Sequence, residues 1–262
     1  MDYSIENLNY LENWIDGFLR KQDRTDIHIK NKFDHTYRTA TISKELFPSN
    51  KLLEVAMKFH DIGRFIQYEK IASFDDKILS HYILGKEYIE SQEKNLNIKS
   101  SQELEKIKAV IRYHLGVFAI PKEKFDCLDD ETIELIKLSA MIDGIDNGCI
   151  GALNYIEREI QNDEKHYIEN NPNLDMKYVS KEVLDFFLND QKFDKFKYCN
   201  TYAEYLLYAI SLMIQSLLSE NSKEVKKIAT EHDAINKYKD LINRYINPDI
   251  ANTCILHLSK FE

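Results

Sequence analysis

Glycine and proline are scarce in this 262-residue chain, at 7 and 4 residues. Both fall well below the roughly 7% and 5% of average proteins, which excludes a collagenous repeat and disfavours a turn-rich sandwich or barrel. Few breakers favour long helices. Cysteine is sparse too: Cys127, Cys149, Cys199 and Cys254 lie far apart, with no C-x-x-C pair. That spacing argues against a structural zinc site and a disulfide framework, and fits idle thiols in a reducing cytoplasm. Basic residues are outnumbered, with a formal net charge of -9, so nucleic acid is not an expected partner. The most apolar stretch, 205–218, is shorter than the ~18 residues a membrane span needs and contains Ser211, Gln215 and Ser216. The segment MDYSIENLNY has no basic region leading into an apolar one, so the expectation is a cytoplasmic protein, neither exported nor in a membrane. A G-x-x-x-x-G-K phosphate loop is also missing.

What remains is an ordinary globular balance, 44% hydrophobic and 30% charged, with helical periodicity almost throughout. Apolar stripes run through Leu8, Leu11, Ile15, Phe18 and Leu19, then through Phe33, Tyr37, Ala40 and Ile42 to a close near Phe47-Pro48. Leu52, Val55, Ala56 and Phe59 predict a helix that stops at Gly63. Ile78, Tyr82 and Ile89 predict another, as do Leu104, Ile107, Val110 and Ile111, and then Ile133, Ile136, Ala140 and Ile145. Further helices are expected over 151–162, 178–189, 201–219 and 222–246, with a loop over 161–175 around Asn170-Asn171-Pro172-Asn173. The division expected is an N-terminal helix and metal-binding helical core over 1–150, with a helical extension over 151–262 packing on that core. Tyr202, Tyr205, Leu206, Ile210, Met213, Ile214 and Leu217 form a stripe in that extension; it suits core packing, with a homodimer face as the alternative.

The chemistry is concentrated in the first half. Of eight histidines, His35, His60, His81 and His114 fall beside helix signals, and Asp61 directly follows His60. Asp143 and Asp146 stand three apart in MIDGIDN, on one helix face. Imidazole and carboxylate together suit borderline divalent metals, and ligands spread over several helices suit a site inside a bundle. A His-Asp pair alone is a weak signal, and His232-Asp233 is a second one that reads as a solvated helix face. His166, His232 and His257 lack a motif, and His28 reads as off-phase from His35 and exposed. Arg64, just past His60-Asp61, is a candidate to grip a substrate phosphate with its guanidinium. Arg38 and Arg112 are weaker candidates, and Lys58 reads as a surface residue.

Around His60 the sequence AMKFHDIGRF is far richer than a bare dipeptide. With NKFDHTYRTA before it, SFDDKILSHYILG after it and LSAMIDGIDN further on, it resembles the HD-domain metal-dependent phosphohydrolase superfamily, in a bacterial branch with Gly-Arg-Phe after the His-Asp. The resemblance spans about residues 30–150. It implies an all-α HD-domain bundle, here with a C-terminal helical extension. It also implies that His35, His60, Asp61 and Asp143 ligate a first metal, and that His81 and His114 are the extra histidines of dinuclear members, with Asp61 bridging. Asp146 is then a neighbour of the ligands and a rival to Asp143. The apolar Ala140-Met141-Ile142 departs from that branch, which often carries a charge there.

By this resemblance the cofactor is a divalent metal, two ions per chain. Fe or Mn leads, with Mg, Ni, Co or Zn as others. The implied function is metal-dependent hydrolysis of a phosphoester of a nucleotide or other small molecule by activated water, with Asp61 and Arg64 as catalytic residues. The alternatives are an HD-type diiron oxygenase and a degenerate nucleotide-binding module. The cyclic-dinucleotide branch needs a Gly-Tyr-Pro segment that is missing here, and the alarmone hydrolases have a Glu-Asp pair where this chain reads Ile62-Gly63-Arg64.

Overall fold

The computed structural model describes residues 4–93, 101–116, 120–151, 175–219 and 222–262. The helix expected over 151–162, apart from its first residue, and nearly all of the loop expected over 161–175 lie outside them, as does His166. Among the described residues there are helices and no strands, so the fold is all-α. No helix among them is long and apolar enough to cross a membrane. The chain divides into two compact units, Met1–Asp143 and Gly144–Glu262.

The first unit is built on α1 (Ile5–Arg20), α2 (Ile27–Leu46), α3 (Lys51–Phe59), α4 (Ile62–Ile71), α5 (His81–Gln92), α6 (Gln102–Tyr113), the short α7 (Lys122–Phe125) and α8 (Asp130–Ile145). Side-chain oxygens of Ser4, Asp26, Asn50 and Ser101 cap α1, α2, α3 and α6 by accepting orphan backbone N–H groups. The apolar stripe of α1 (Leu8, Leu11, Ile15 and Leu19) is buried as its spacing requires, and α1 packs on α3. Trp14 stacks on Phe59 with ring centroids 5.8 Å apart. Helix α3 is central: Leu53, Val55, Ala56, Met57 and Phe59 are inaccessible, with α1, α2 and α6 around it.

Gly63 has a different role from the expected helix stop. Helix α3 ends at Phe59, the chain turns through His60 and Asp61, and Gly63 lies inside α4. A Cβ at Gly63 would stand 1.8 Å from the carbonyl oxygen of His81 and 2.8 Å from the backbone nitrogen of Gly85. The glycine is therefore there for contact: its bare backbone lets α5 close on α4. The fourth expected helix also shifts. Ile78 is 67% exposed and stands outside α5, which begins at His81.

Lys58 is a second correction. It is buried rather than superficial, with its ammonium 2.8 Å from Glu12 Oε1 and 3.1 Å from Asp16 Oδ1 on α1. The stem crosses apolar ground and the charge finds carboxylates at the edge.

In the second unit, α8 gives way to a π-helical turn, Asp146–Gly151. Among the described residues the remaining helices are α9 (Lys181–Leu188), α10 (Lys195–Tyr198), α11 (Tyr202–Leu217), α12 (Ser222–Glu231), α13 (Ala234–Tyr245) and α14 (Pro248–Leu258), closed by a 3₁₀ turn. The stripe on α11 is core: Leu206, Ile210, Met213 and Ile214 are inaccessible and packed by other elements of this unit. The helix expected over 222–246 is two helices. Asp233 takes a left-handed φ of 51° between them, so His232-Asp233 marks an exposed break rather than a helix face. The unexpected α14 begins with Pro248 in its first turn, where proline costs no hydrogen bond, and Asn247 caps it.

Candidate metal centre

The six expected ligands all lie in the first unit and gather into two groups. His35, His60 and Asp143 form one; Asp61, His81 and His114 form the other; within each, the three ligand atoms lie within 4.8 Å of one another. In the first group His35 Nε2 is 3.1 Å from both His60 Nε2 and Asp143 Oδ1. In the second, His81 Nε2 is 3.2 Å from His114 Nε2, and Asp61 Oδ1 is 3.4 Å and 3.6 Å from them. The other Asp61 oxygen, Oδ2, faces the first group, 3.6 Å from His35 Nε2 and 3.8 Å from His60 Nε2. One carboxylate thus offers one oxygen to each group.

Local chain geometry explains the orientation. His60 and His114 each stand just past the end of a helix, where the last carbonyls have lost their intrahelical partners. His60 Nδ1 donates to Met57 O at 2.6 Å, and His114 Nδ1 donates to Ile111 O at 3.0 Å. A carbonyl can only accept, so the proton sits on Nδ1 and the Nε2 lone pair points inward. His81 opens α5, and its Nδ1 donates to Asp76 Oδ1 at 2.6 Å. The same oxygen accepts the His81 backbone N–H at 3.1 Å. Gly63, having no Cβ, lets the His81 backbone close on α4.

The electrostatics favour lone pairs over protons. Burial is the largest influence on His114 and lowers its pKa to about 3; burial also leads in lowering His81. Burial alone would raise Asp61, but Lys32 and the imidazoles of His60, His81 and His114 outweigh it, holding the carboxyl well below its ordinary value. Asp143 is likewise held well down, its burial outweighed by the neighbouring His35 and His60. In the second group, two neutral imidazoles and one carboxylate therefore converge with acceptor atoms only. Unshared lone pairs 3.2 Å apart in a buried site repel unless a cation lies among them. This donor set fits a divalent ion, and nitrogen with oxygen suits borderline metals.

Arg64 reaches the edge of this cluster, its Nε 3.9 Å from Asp61 Oδ1. Its terminal nitrogens are occupied: Nη2 pairs with Asp76 Oδ2 at 2.9 Å, and Nη1 donates to Phe74 O at 2.9 Å and Gln67 Oε1 at 3.1 Å. The fork expected to grip phosphate instead braces Asp76, which holds His81. Arg112 stacks over Tyr82 and Tyr113. Asp146 is buried on the π-helical turn of the second unit and belongs to neither group. His28 is exposed as expected, but it shares α2 with His35 at a spacing of seven residues, two turns, and so lies in phase with it. His257 is buried in the second unit, 2.9 Å from Asp190.

Sequence reasoning missed Asp76 and Lys32. Asp76 carried one usable signal, an acid shortly before a histidine that opens a helix. Lys32 carried none beyond its place one turn before His35; its Nζ lies 2.9 Å from Asp61 Oδ2.

A helical unit with a His-Asp turn at its centre and four more His and Asp side chains around it has the makings of a metal site inside a helical bundle. Residues 33–146 match the family model of the HD domain. This segment, less than half of the chain, is an HD domain, a domain characteristic of a superfamily of metal-dependent hydrolases. No curated protein and no solved structure matches the chain.

Proposed function

We propose that this protein is a metal-dependent phosphohydrolase that cleaves a phosphoester of a nucleotide or other small molecule, with two divalent ions held by the six ligands. The observation that carries the reading is the opposed pair of neutral imidazoles, His81 and His114, with Asp61 Oδ1 completing a buried, acceptor-only triangle. The first ion would be held by His35, His60, Asp143 and Asp61 Oδ2, the second by His81, His114 and Asp61 Oδ1. Iron or manganese suits these nitrogen and oxygen donors. Ions bound there supply Lewis acidity, which lowers the pKa of water towards neutrality and offsets phosphoryl charge.

The chain's residues do the positioning. Asp61 ties the two groups together. Met57 O, Ile111 O and Asp76 fix three imidazoles in the ligating tautomer. Arg64 braces Asp76. Asp143, with its side chain 17% exposed, and Lys32 mark the side open to a substrate.

The test is phosphate release from a panel of nucleotides and small phosphoesters by protein loaded with Mn²⁺ or Fe²⁺. Asp61→Ala is expected to abolish release while the circular dichroism stays helical. Full activity in that variant, or no release from any ester by the wild type, contradicts the reading.

A further inference from the structure

Two cationic side chains stand against the ligand cluster, and they are held very differently. Arg64 is pinned by Asp76, Gln67 and the Phe74 carbonyl, three partners that have nothing to do with a substrate. Lys32 reaches from α2 to a single oxygen, Asp61 Oδ2, at 2.9 Å. That is the oxygen facing His35 and His60. The Lys32 side chain is 22% exposed and Asp61 only 5%, so the ammonium lies between the buried carboxylate and solvent.

We propose that Lys32 is the substrate-binding cation of this site: it occupies Asp61 Oδ2 only until divalent ions are held there, and then turns to the phosphoryl oxygens of the bound phosphoester. The inference rests on the metal reading above and extends it to a residue outside the ligand set. An ammonium and a divalent cation compete for Asp61 Oδ2, because the two cations repel at that distance. Four methylenes let the ammonium swing outward without moving α2, and its three donors need no fixed plane. Arg64 has no such freedom. A phosphoester brought to the cluster is an anion, so the displaced ammonium gains a charged partner in place of the one it lost.

The experiment compares wild type with Lys32→Met, which keeps the apolar stem and removes the charge. Mn²⁺ affinity and inorganic phosphate affinity of the Mn²⁺-loaded protein are both read by titration calorimetry. In Lys32→Met the phosphate affinity is expected to fall about tenfold to a hundredfold, the span of a charge-assisted hydrogen bond. The Mn²⁺ affinity stays equal or rises, because a competitor for Asp61 is gone. Lys32→Arg retains part of the phosphate affinity. Phosphate affinity unchanged in Lys32→Met overturns the assignment while leaving the metal reading intact. So does a fall in Mn²⁺ affinity alongside the phosphate loss, which would make Lys32 a prop of the site. A wild type that takes up no Mn²⁺ overturns the metal reading first, and this assignment with it.

Discussion

A single methyl group at Gly63 tests how the bundle sets the spacing of the second ligand group. In Gly63→Ala the new Cβ would stand 1.8 Å from His81 O, 2.7 Å from its carbonyl carbon and 2.8 Å from Gly85 N, all backbone atoms. Ordinary contact begins near 3.4 Å, so the start of α5 must retreat by about 1.5 Å, because no flexible side chain there can yield. Alanine is the better helix former by about 1 kcal/mol. Overpacking of this kind costs about 1–3 kcal/mol, occasionally more, so the clash outweighs the propensity gain. The consequence for the site is larger than for the fold. Metal–ligand distances hold within about 0.2 Å, far less than the retreat, and His81 rides on the displaced turn. The expected result is a lower urea midpoint and a fall from two ions to one, read by denaturation and elemental analysis. The ion that remains belongs to His35, His60 and Asp143, which do not lie on α5. Two ions per chain with an unchanged midpoint would show that Gly63 does not set the spacing of α5 from α4.

Other outcomes follow from the same geometry. Asp76→Ala removes the acceptor for His81 Nδ1 and should weaken the second ion about tenfold to a hundredfold, the usual effect of losing such a partner; equal affinity for both ions in titration calorimetry would exclude this. Lys58→Met takes the shared ammonium from Glu12 and Asp16, which keep Lys51 and the Tyr37 hydroxyl respectively, and should lower stability by about 1–2 kcal/mol, read as a urea midpoint; no change would mean that the Lys58 pairs are fully solvated. The metal-free protein should lose stability on acidification. The folded pKa of His114 is lowered to about 3 and that of His81 also lies below its ordinary value, whereas unfolded imidazoles protonate near 6.5. Between those limits the unfolded chain binds more protons, so this stability is complete above about pH 6.5 and declines as the pH falls towards 3, by up to about 1.4 kcal/mol per pH unit per histidine. Equal urea midpoints at pH 7.5 and pH 5 would contradict it.

Much of the site was legible because its signals are local. A histidine and aspartate at the end of an apolar helix, preceded by a histidine on another helix and followed by two more, point to side chains that the fold does gather into two groups. Helix existence was equally legible from apolar spacing, and α1, α6 and α11 show it. What the sequence could not reveal depends on distant partners. Gly63 reads as a helix stop until His81 is packed on it. Arg64 reads as a phosphate grip until Asp76 is brought to its fork by the turn between α4 and α5. Lys58 reads as superficial until α1 places two acids above it. The break at Asp233 depends on one left-handed residue in a stretch with no glycine or proline to announce it. The start of α14 was signalled, since Asn247-Pro248 is a cap followed by a first-turn proline.

In the proposed two-ion centre one buried carboxylate, Asp61, joins the two groups of His and Asp side chains. The most direct test is metal content per chain, by elemental analysis of untagged protein purified anaerobically and reconstituted with Fe²⁺ or Mn²⁺. Two ions are expected in the wild type, one in His81→Ala and none firmly held in Asp61→Ala. One ion in the wild type, or two retained in Asp61→Ala, would contradict it.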